Sequence, residues 1–336
     1  MHRIRPFRSL MAAGLSLAGV LSLTGLAGTA AAADDDDMAG AKYVAGTAFT
    51  LPGARAFPEG IAVDSKTGDF YVGSYATGAI YRTPAGQKAA EVFLPDGADG
   101  RTTAAGLKVD AAGRLWVTDP KGVMVYDIAT RKRVAHFTVS APEASLLNDL
   151  DIAPDGTAYV TDSYLAVVYR VTPAQLQTAI AAGGTGGTLT TAYNLTGVIP
   201  PQPARTVTLN GIEADAAGGY LITVDSAGGG LYRIDLRSGA MQKVTGTVSL
   251  KYGDGLHLES GRVWLAHYGN DTLSRLRLNA DATSFTVERQ VVDATLEMPT
   301  TLVRRNSHLY VVRSQFGKMA GGTAELPFTI ADVTGF

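Results

Sequence analysis

Four oxygen-bearing side chains, Glu59, Asn148, Asn210 and Asp254, occupy the same place in a pattern that repeats along this 336-residue chain. Two are carboxylates and two are amides, with no sulfur or imidazole among them. That is the donor set of a hard cation. Calcium suits it best because it accepts several oxygens in loose geometry, whereas magnesium keeps more water and fits a wide ring less well. Asn or Asp before Gly, as in Asn210-Gly211 and Asp254-Gly255, is by itself ordinary turn chemistry. Equivalence under the repeat is what singles the set out, since turn chemistry gives no reason for Glu59 to stand there too.

The elements that must position these residues follow from the repeat. The recurring pattern is a polar or small residue, then a small one, an apolar run with an acidic end, a Gly turn and an aromatic or β-branched strand. The copies begin at Glu59, Ala105, Asn148, Asn210, Asp254 and Thr300, and no seventh follows. Most steps are about 45 residues, a blade-sized period, and only the step from Asn148 to Asn210 is longer, about 60. Every copy reads as a hairpin, with an Asp-x-x-Gly turn in the copies that begin at Ala105 and Asn210, as at Asp110 to Gly113, and a return strand carrying Tyr71, Trp116, Tyr159, Leu221, Trp264 or Tyr310. A further strand often follows, and the predicted fold is all-β, a six-bladed β-propeller. The period is too long for a β-helix, and an open array would leave long edges exposed. Innermost strands of a propeller line its central channel, so the four side chains are expected to point at a common axis.

The ring is expected to close by pairing residues 43–51 with 327–333. The long step supplies an insert, 172–207, with a short helix predicted over 174–182 from Thr172-Pro173 and Gly183. It reads as an excursion over one rim or as a pocket lid. A second equivalent position, Ser74, Asp119, Asp162, Asp225, His267 and Arg313, follows the return strands. These residues either line the mouth or cap turns, and His267 stands out as a candidate base. His257 reads as a packed or interstrand histidine. Asp149 and Asp151 read as local turn and strand-end residues, with Asp149 able to hold a water on the metal.

Residues 1–33 read as a secretory signal: a basic start, an apolar Leu/Ala stretch and an A-x-A site ending at Ala33. A disordered linker over 34–42 and the propeller over 43–336 complete the domain plan, for a secreted or periplasmic protein. Without Arg3, Arg5 and Arg8 the balance is 26 basic against 31 acidic residues, or −5, which argues against nucleic acid or an anionic membrane as partner. The chain contains no cysteine, so thiol catalysis, thiolate metal sites and disulfides are excluded. No histidine cluster or cofactor motif supports a redox enzyme.

The motifs PEGIAVD, NDLDIAPDGTAYVTDS, NGIEAD and DGLHLESGRVWLAHYG resemble the senescence-marker-protein/gluconolactonase/luciferin-regenerating-enzyme family, and more distantly the paraoxonases and diisopropyl-fluorophosphatase. The resemblance spans roughly 57–312. It implies a six-bladed propeller in which a Glu, two Asn and an Asp hold a catalytic divalent ion, roles that fall on Glu59, Asn148, Asn210 and Asp254. It also implies hydrolysis of a lactone or related ester. In such a reaction the ion is expected to polarise the carbonyl, with Asp254, a metal-bound carboxylate with a free oxygen beside the substrate, as general base or nucleophile. The protein is expected to be a monomer. Leu146-Leu147 lead into Asn148 where the family often has Arg, so no sugar-recognising residue is assigned. The alternative is a secreted propeller with a structural calcium that binds a ligand or protein without turning it over.

Overall fold

The computed structural model describes residues 42–336; the expected leader and nearly all of the 34–42 linker lie outside them. Six antiparallel sheets, each led by an inner strand from one copy of the repeat, make a six-bladed propeller. Blade I runs Pro58–Val63, Phe70–Ser74, Ile80–Thr83 and Glu91–Leu94 from the inside outward, and the later blades follow the same meander.

The sequence forms blades because each sheet is buried on both faces. Neighbouring residues on a strand point to opposite sides, so consecutive apolar residues feed opposite interfaces. Trp116 packs between blades II and III while Val117 packs between I and II. Tyr159 packs between III and IV while Val160 faces back toward II. The core of the described residues is accordingly six clusters, one for each pair of adjacent blades. The turns hold as read: Asp110 Oδ1 accepts from the Ala112 amide at 2.9 Å, and Gly113 takes the left-handed backbone at φ 77°.

Blade VI closes the ring. Val44–Leu51 pairs antiparallel with Phe328–Thr334, which follows Pro299–Arg305 and His308–Arg313 in the same sheet. The two ends of the described chain are thereby locked in one sheet.

The 172–207 stretch is only partly an insert. Its helix, Pro173–Ala181, starts with a capping box in which Thr172 Oγ1 accepts from the Gln175 amide at 3.2 Å and the Gln175 side chain accepts from the Thr172 amide. Thr185–Thr188 adds a parallel edge to blade II, and Thr190–Asn194 is the fourth strand of blade III. The sequence reading missed that strand, TTAYN, although Thr and Tyr favour strands, because it lies in the long step outside the repeated hairpin. What remains is a Pro-rich loop, residues 198–207, on the rim. Among the described residues no helix is long and apolar enough to cross a membrane.

Candidate metal centre

Each of the four predicted ligands lies inside an inner strand rather than just before it: Glu59 in Pro58–Val63, Asn148 in Leu147–Ile152, Asn210 in Leu209–Ala214, Asp254 in Gly253–Glu259. In all four strands the register to the second strand shifts across the ligand, for example between Pro58 and Ile61 and between Leu147 and Leu150. A bulge of this kind re-aims a side chain out of the pleat. Gly follows three of the four ligands, Glu59, Asn210 and Asp254, and close approach at the axis requires it. A Cβ on Gly60 would stand 1.9 Å from the Ala105 carbonyl oxygen, and one on Gly211 would stand 2.4 Å from that of Asp254.

Threonines carry the alignment from blade to blade. Thr161 Oγ1 donates to the Asn210 carbonyl at 2.8 Å, Thr300 Oγ1 donates to the Glu59 carbonyl at 2.8 Å, and Thr118 Oγ1 donates to the Asn148 carbonyl. One blade's hydroxyl thus fixes the ligand-bearing backbone of the next. The signal was present in the sequence as the recurring Thr of WVTD and YVTD, which strand propensity alone had absorbed.

The four ligands ring the floor of one cavity of about 230 Å³. Its walls are Tyr75, Leu146, Val207, Tyr268, Phe316 and Met319, and among the described residues no Arg, Lys or His reaches it. Ser163 orients one amide: Asn148 Nδ2 donates to Ser163 Oγ at 3.2 Å, and that hydroxyl donates to the Leu209 carbonyl at 2.5 Å. Asn148 Oδ1 and Asn210 Oδ1 are buried and have no hydrogen-bond partner. Such acceptors cost about 1–3 kcal/mol each when left unsatisfied. Glu59 and Asp254 are each 6% exposed, and among the described residues no cation pairs with either. Burial first, then the charges of Asp254 and Asp149, push the Glu59 carboxyl well above its ordinary range. Burial and Asp149 do the same to Asp254, against a hydrogen bond with the Asn210 side chain. Two unpaired carboxylates and two unpaired amide oxygens facing one space fit a hard divalent cation. They explain why no cluster of three His, Asp or Glu is found among the described residues: half the donors are amides.

Below the floor lies a charged plug that sequence reading missed. Lys108 Nζ pairs with Glu213 and, at 3.2 Å, with Asp151 Oδ1, while His257 Nδ1 stands 3.6 Å from Glu213 Oε2. Burial works against the Glu213 carboxylate, but Lys108 and then His257 hold it down to about 2. Asp151, one residue from the end of its strand as read, also accepts from the Ala214 amide at 2.7 Å and faces Lys108. Asp149 also lies inward, its carboxyl raised to about 7, mainly by burial. Lys108, Asp151, Glu213 and His257 each fall three residues after a ligand position of the repeat. The same equivalence that found the ligands would have found them.

The second equivalent position caps turns and does not line the mouth. Asp162 Oδ1 accepts from the amides of Leu146, Tyr164 and Leu165 at 3.0–3.2 Å, and Ser74 Oγ donates to the Ala56 carbonyl at 2.6 Å. His267 is 2% exposed, with Nδ1 at 3.0 Å from the Lys251 carbonyl and Nε2 at 2.9 Å from Ser274 Oγ. Burial pushes its pKa down, so it is a neutral structural ring and not a base at the site.

The profile of the SMP-30/Gluconolactonase/LRE-like region matches residues 57–291. The chain belongs to this family. Solved structures similar to this gluconolactonase-like propeller include the calcium-binding protein regucalcin from Agrobacterium tumefaciens, 15% identical, covering 86% of this chain and 97% of that one with a TM-score of 0.60. A luciferin-regenerating enzyme is 14% identical over 87% of this chain and 95% of its own, TM-score 0.59. Virginiamycin B lyase from Staphylococcus aureus is 14% identical over 87% and 99%, TM-score 0.57. At such identities the likeness is one of fold. No curated protein matches the chain in sequence at a significant level.

Proposed function

We propose that this protein is an exported, divalent-metal-dependent hydrolase that opens a lactone or related ester. The observation that carries the reading is the pair of orphaned amide oxygens, Asn148 Oδ1 and Asn210 Oδ1, facing the cavity that Glu59 and Asp254 share. These four residues would hold the ion, and the hardness of their oxygens favours calcium; the regucalcin relative, described as calcium-binding, supports the choice. Once bound, the ion supplies a Lewis acid for the scissile carbonyl and its developing oxyanion.

The chain's own residues do the rest. Asp254 borders the cavity and is the acceptor for the proton of the attacking water; attack as a nucleophile is its other available role. Water adds to the acyl carbon, the ring C–O bond breaks, and the proton returns to the departing alkoxide to give a hydroxy acid. Burial, with Glu59 near Tyr75 and Asp254 near Tyr268, raises both phenols above their ordinary value. Both stay protonated at neutral pH and can donate to a substrate oxygen, while Phe316, packed against Tyr75 at 5.0 Å, and Met319 keep bulk water out.

Purified protein should contain a divalent ion and hydrolyse members of a panel of lactones and aryl esters. Chelator should abolish the activity and added calcium restore it. A chelator that lowers the melting temperature of a protein with no measurable hydrolysis would favour the non-catalytic binder with a structural ion. Export is the second part of the proposal. N-terminal sequencing of protein recovered outside the cytoplasm should read from Asp34, and an intact Met1 on the mature protein would refute it.

A further inference from the structure

A second cavity, about 240 Å³, opens on the rim beside the mouth. Its walls are mainly Ile199, Pro200, Pro201, Pro203 and Ala204, with Tyr164, Thr196, Gln202 and Thr208 as polar members, and among the described residues no charged side chain reaches it. The mouth and this groove share their partition. Val207 faces the mouth and Thr208 the groove, and the Thr208 amide donates to the Ser163 carbonyl at 3.0 Å. Ser163 holds the Asn148 amide, and Tyr164, the next residue, forms the groove wall and lies close enough to Tyr75 of the mouth to act on its ionisation.

The groove is also preformed. Leu195 and Ile199 are buried in the core between blades III and IV. The Leu195 amide donates to the Ala166 carbonyl at 3.0 Å and the Ile199 amide to the Leu195 carbonyl at 2.9 Å. Three prolines stiffen the segment that follows, and Arg205 Nη2 ties its end to the Glu143 carbonyl at 2.8 Å. A rigid apolar wall loses little entropy on binding.

We infer that the proline-walled groove is the subsite for an apolar substituent of the substrate, so that the preferred substrate is a lactone or ester bearing an alkyl chain and not a polyhydroxylated one. A polyhydroxylated substituent would set most of its hydroxyls against Leu165, Ala166, Ile199, three prolines and Ala204, with only Tyr164, Thr196, Gln202 and Thr208 to answer them. The inference rests on the proposed hydrolase for the word substrate; the groove's affinity for an alkyl chain does not.

The test uses two series on the metal-loaded protein: δ-lactones with alkyl tails from methyl to octyl for kcat/KM, and the matching hydrolysis-resistant lactams for affinity by calorimetry. Lactam affinity should rise roughly three- to fourfold per methylene until the tail outruns the groove. Ala204→Trp, at an exposed position that fills the groove, should flatten the series while leaving the methyl compound's affinity unchanged. Affinity independent of tail length in the unmodified protein would overturn the subsite, whether or not Ala204→Trp folds; so would a slope that Ala204→Trp leaves intact. A lactam slope without turnover of any lactone supports the groove and sinks the hydrolase. Turnover with flat kcat/KM and flat affinity sinks the groove and leaves the hydrolase standing.

Discussion

Alanine in place of Asp254 should lower kcat/KM for lactone hydrolysis by about 10³-fold or more while the propeller stays folded. Two losses combine. A positioned proton acceptor contributes roughly 10²–10⁴-fold, and the ion loses one of its two carboxylate ligands. The stability side runs the other way. Asp254 is buried, its charge acts on Glu59, and it has no cationic partner among the described residues. Removing that charge relieves Glu59, so the metal-free variant should melt no lower than the metal-free parent. Asp254→Asn, which keeps the volume, should melt higher in chelator. Strain held at a functional site in this way is what a metal-binding ring predicts. Steady-state rates and melting curves in chelator, taken on both variants, check it. Full activity of the alanine variant would remove Asp254 from the mechanism, and a large drop in melting temperature in chelator would make it a structural residue instead.

The blades were legible because a blade is buried on both faces. That requirement forces apolar pairs such as Trp116-Val117 and Tyr159-Val160 into every copy, and such pairs survive in sequence as a visible period. The ligands were legible through symmetry: four of six equivalent positions carry a carboxylate or an amide, and the structure brings those four to one cavity. Contacts between blades were harder to read. Thr161 reaches Asn210, 49 positions away, and Lys108 reaches Glu213, 105 positions away, and no local propensity reports either. His267 misled for a related reason. An imidazole after a return strand has the right chemistry for a base, but its role depends on which atoms surround it, and here both nitrogens are engaged. The Pro-rich loop was read as irregular, which it is; only the structure shows that its irregular chain walls a cavity adjoining the mouth.

The floor of the mouth and the plug beneath it divide the work of charge. Lys108 pairs with both Glu213 and Asp151 within the chain, so the lower channel is held together by its own ion pairs. The upper ring has two carboxylates and no such cation. A buried pair of like charges is tolerable only if protons or a metal ion compensate it.

Calcium should therefore raise the melting temperature more at pH 8 than at pH 6. In the metal-free fold Glu59 and Asp254 sit well above the ordinary carboxylate range, and Asp149 at about 7. A carboxyl whose folded-state proton affinity exceeds its unfolded one costs no stability while both states hold the proton. The cost grows as pH rises from the unfolded pKa through the folded one. In chelator the protein should lose stability across this window, which extends past pH 7. The ion needs its carboxylates deprotonated, so its affinity strengthens over the same range. His136 and His267, both pushed down by burial, contribute the opposite slope below the ordinary histidine pKa, but they do so with and without calcium and cancel in the difference. Glu213 and Asp235, held at about 2, are constant throughout. At calcium about 100-fold above its dissociation constant the stabilisation is about 2.7 kcal/mol. In a domain of this size that is a rise of roughly 5 °C at pH 8, shrinking toward pH 6. Melting curves from pH 6 to 8.5, in calcium and in chelator, measure the gap directly. Glu59→Gln should reduce both the gap and its growth with pH; a gap that is constant or narrows with rising pH would mean that the ion does not bind at these carboxylates.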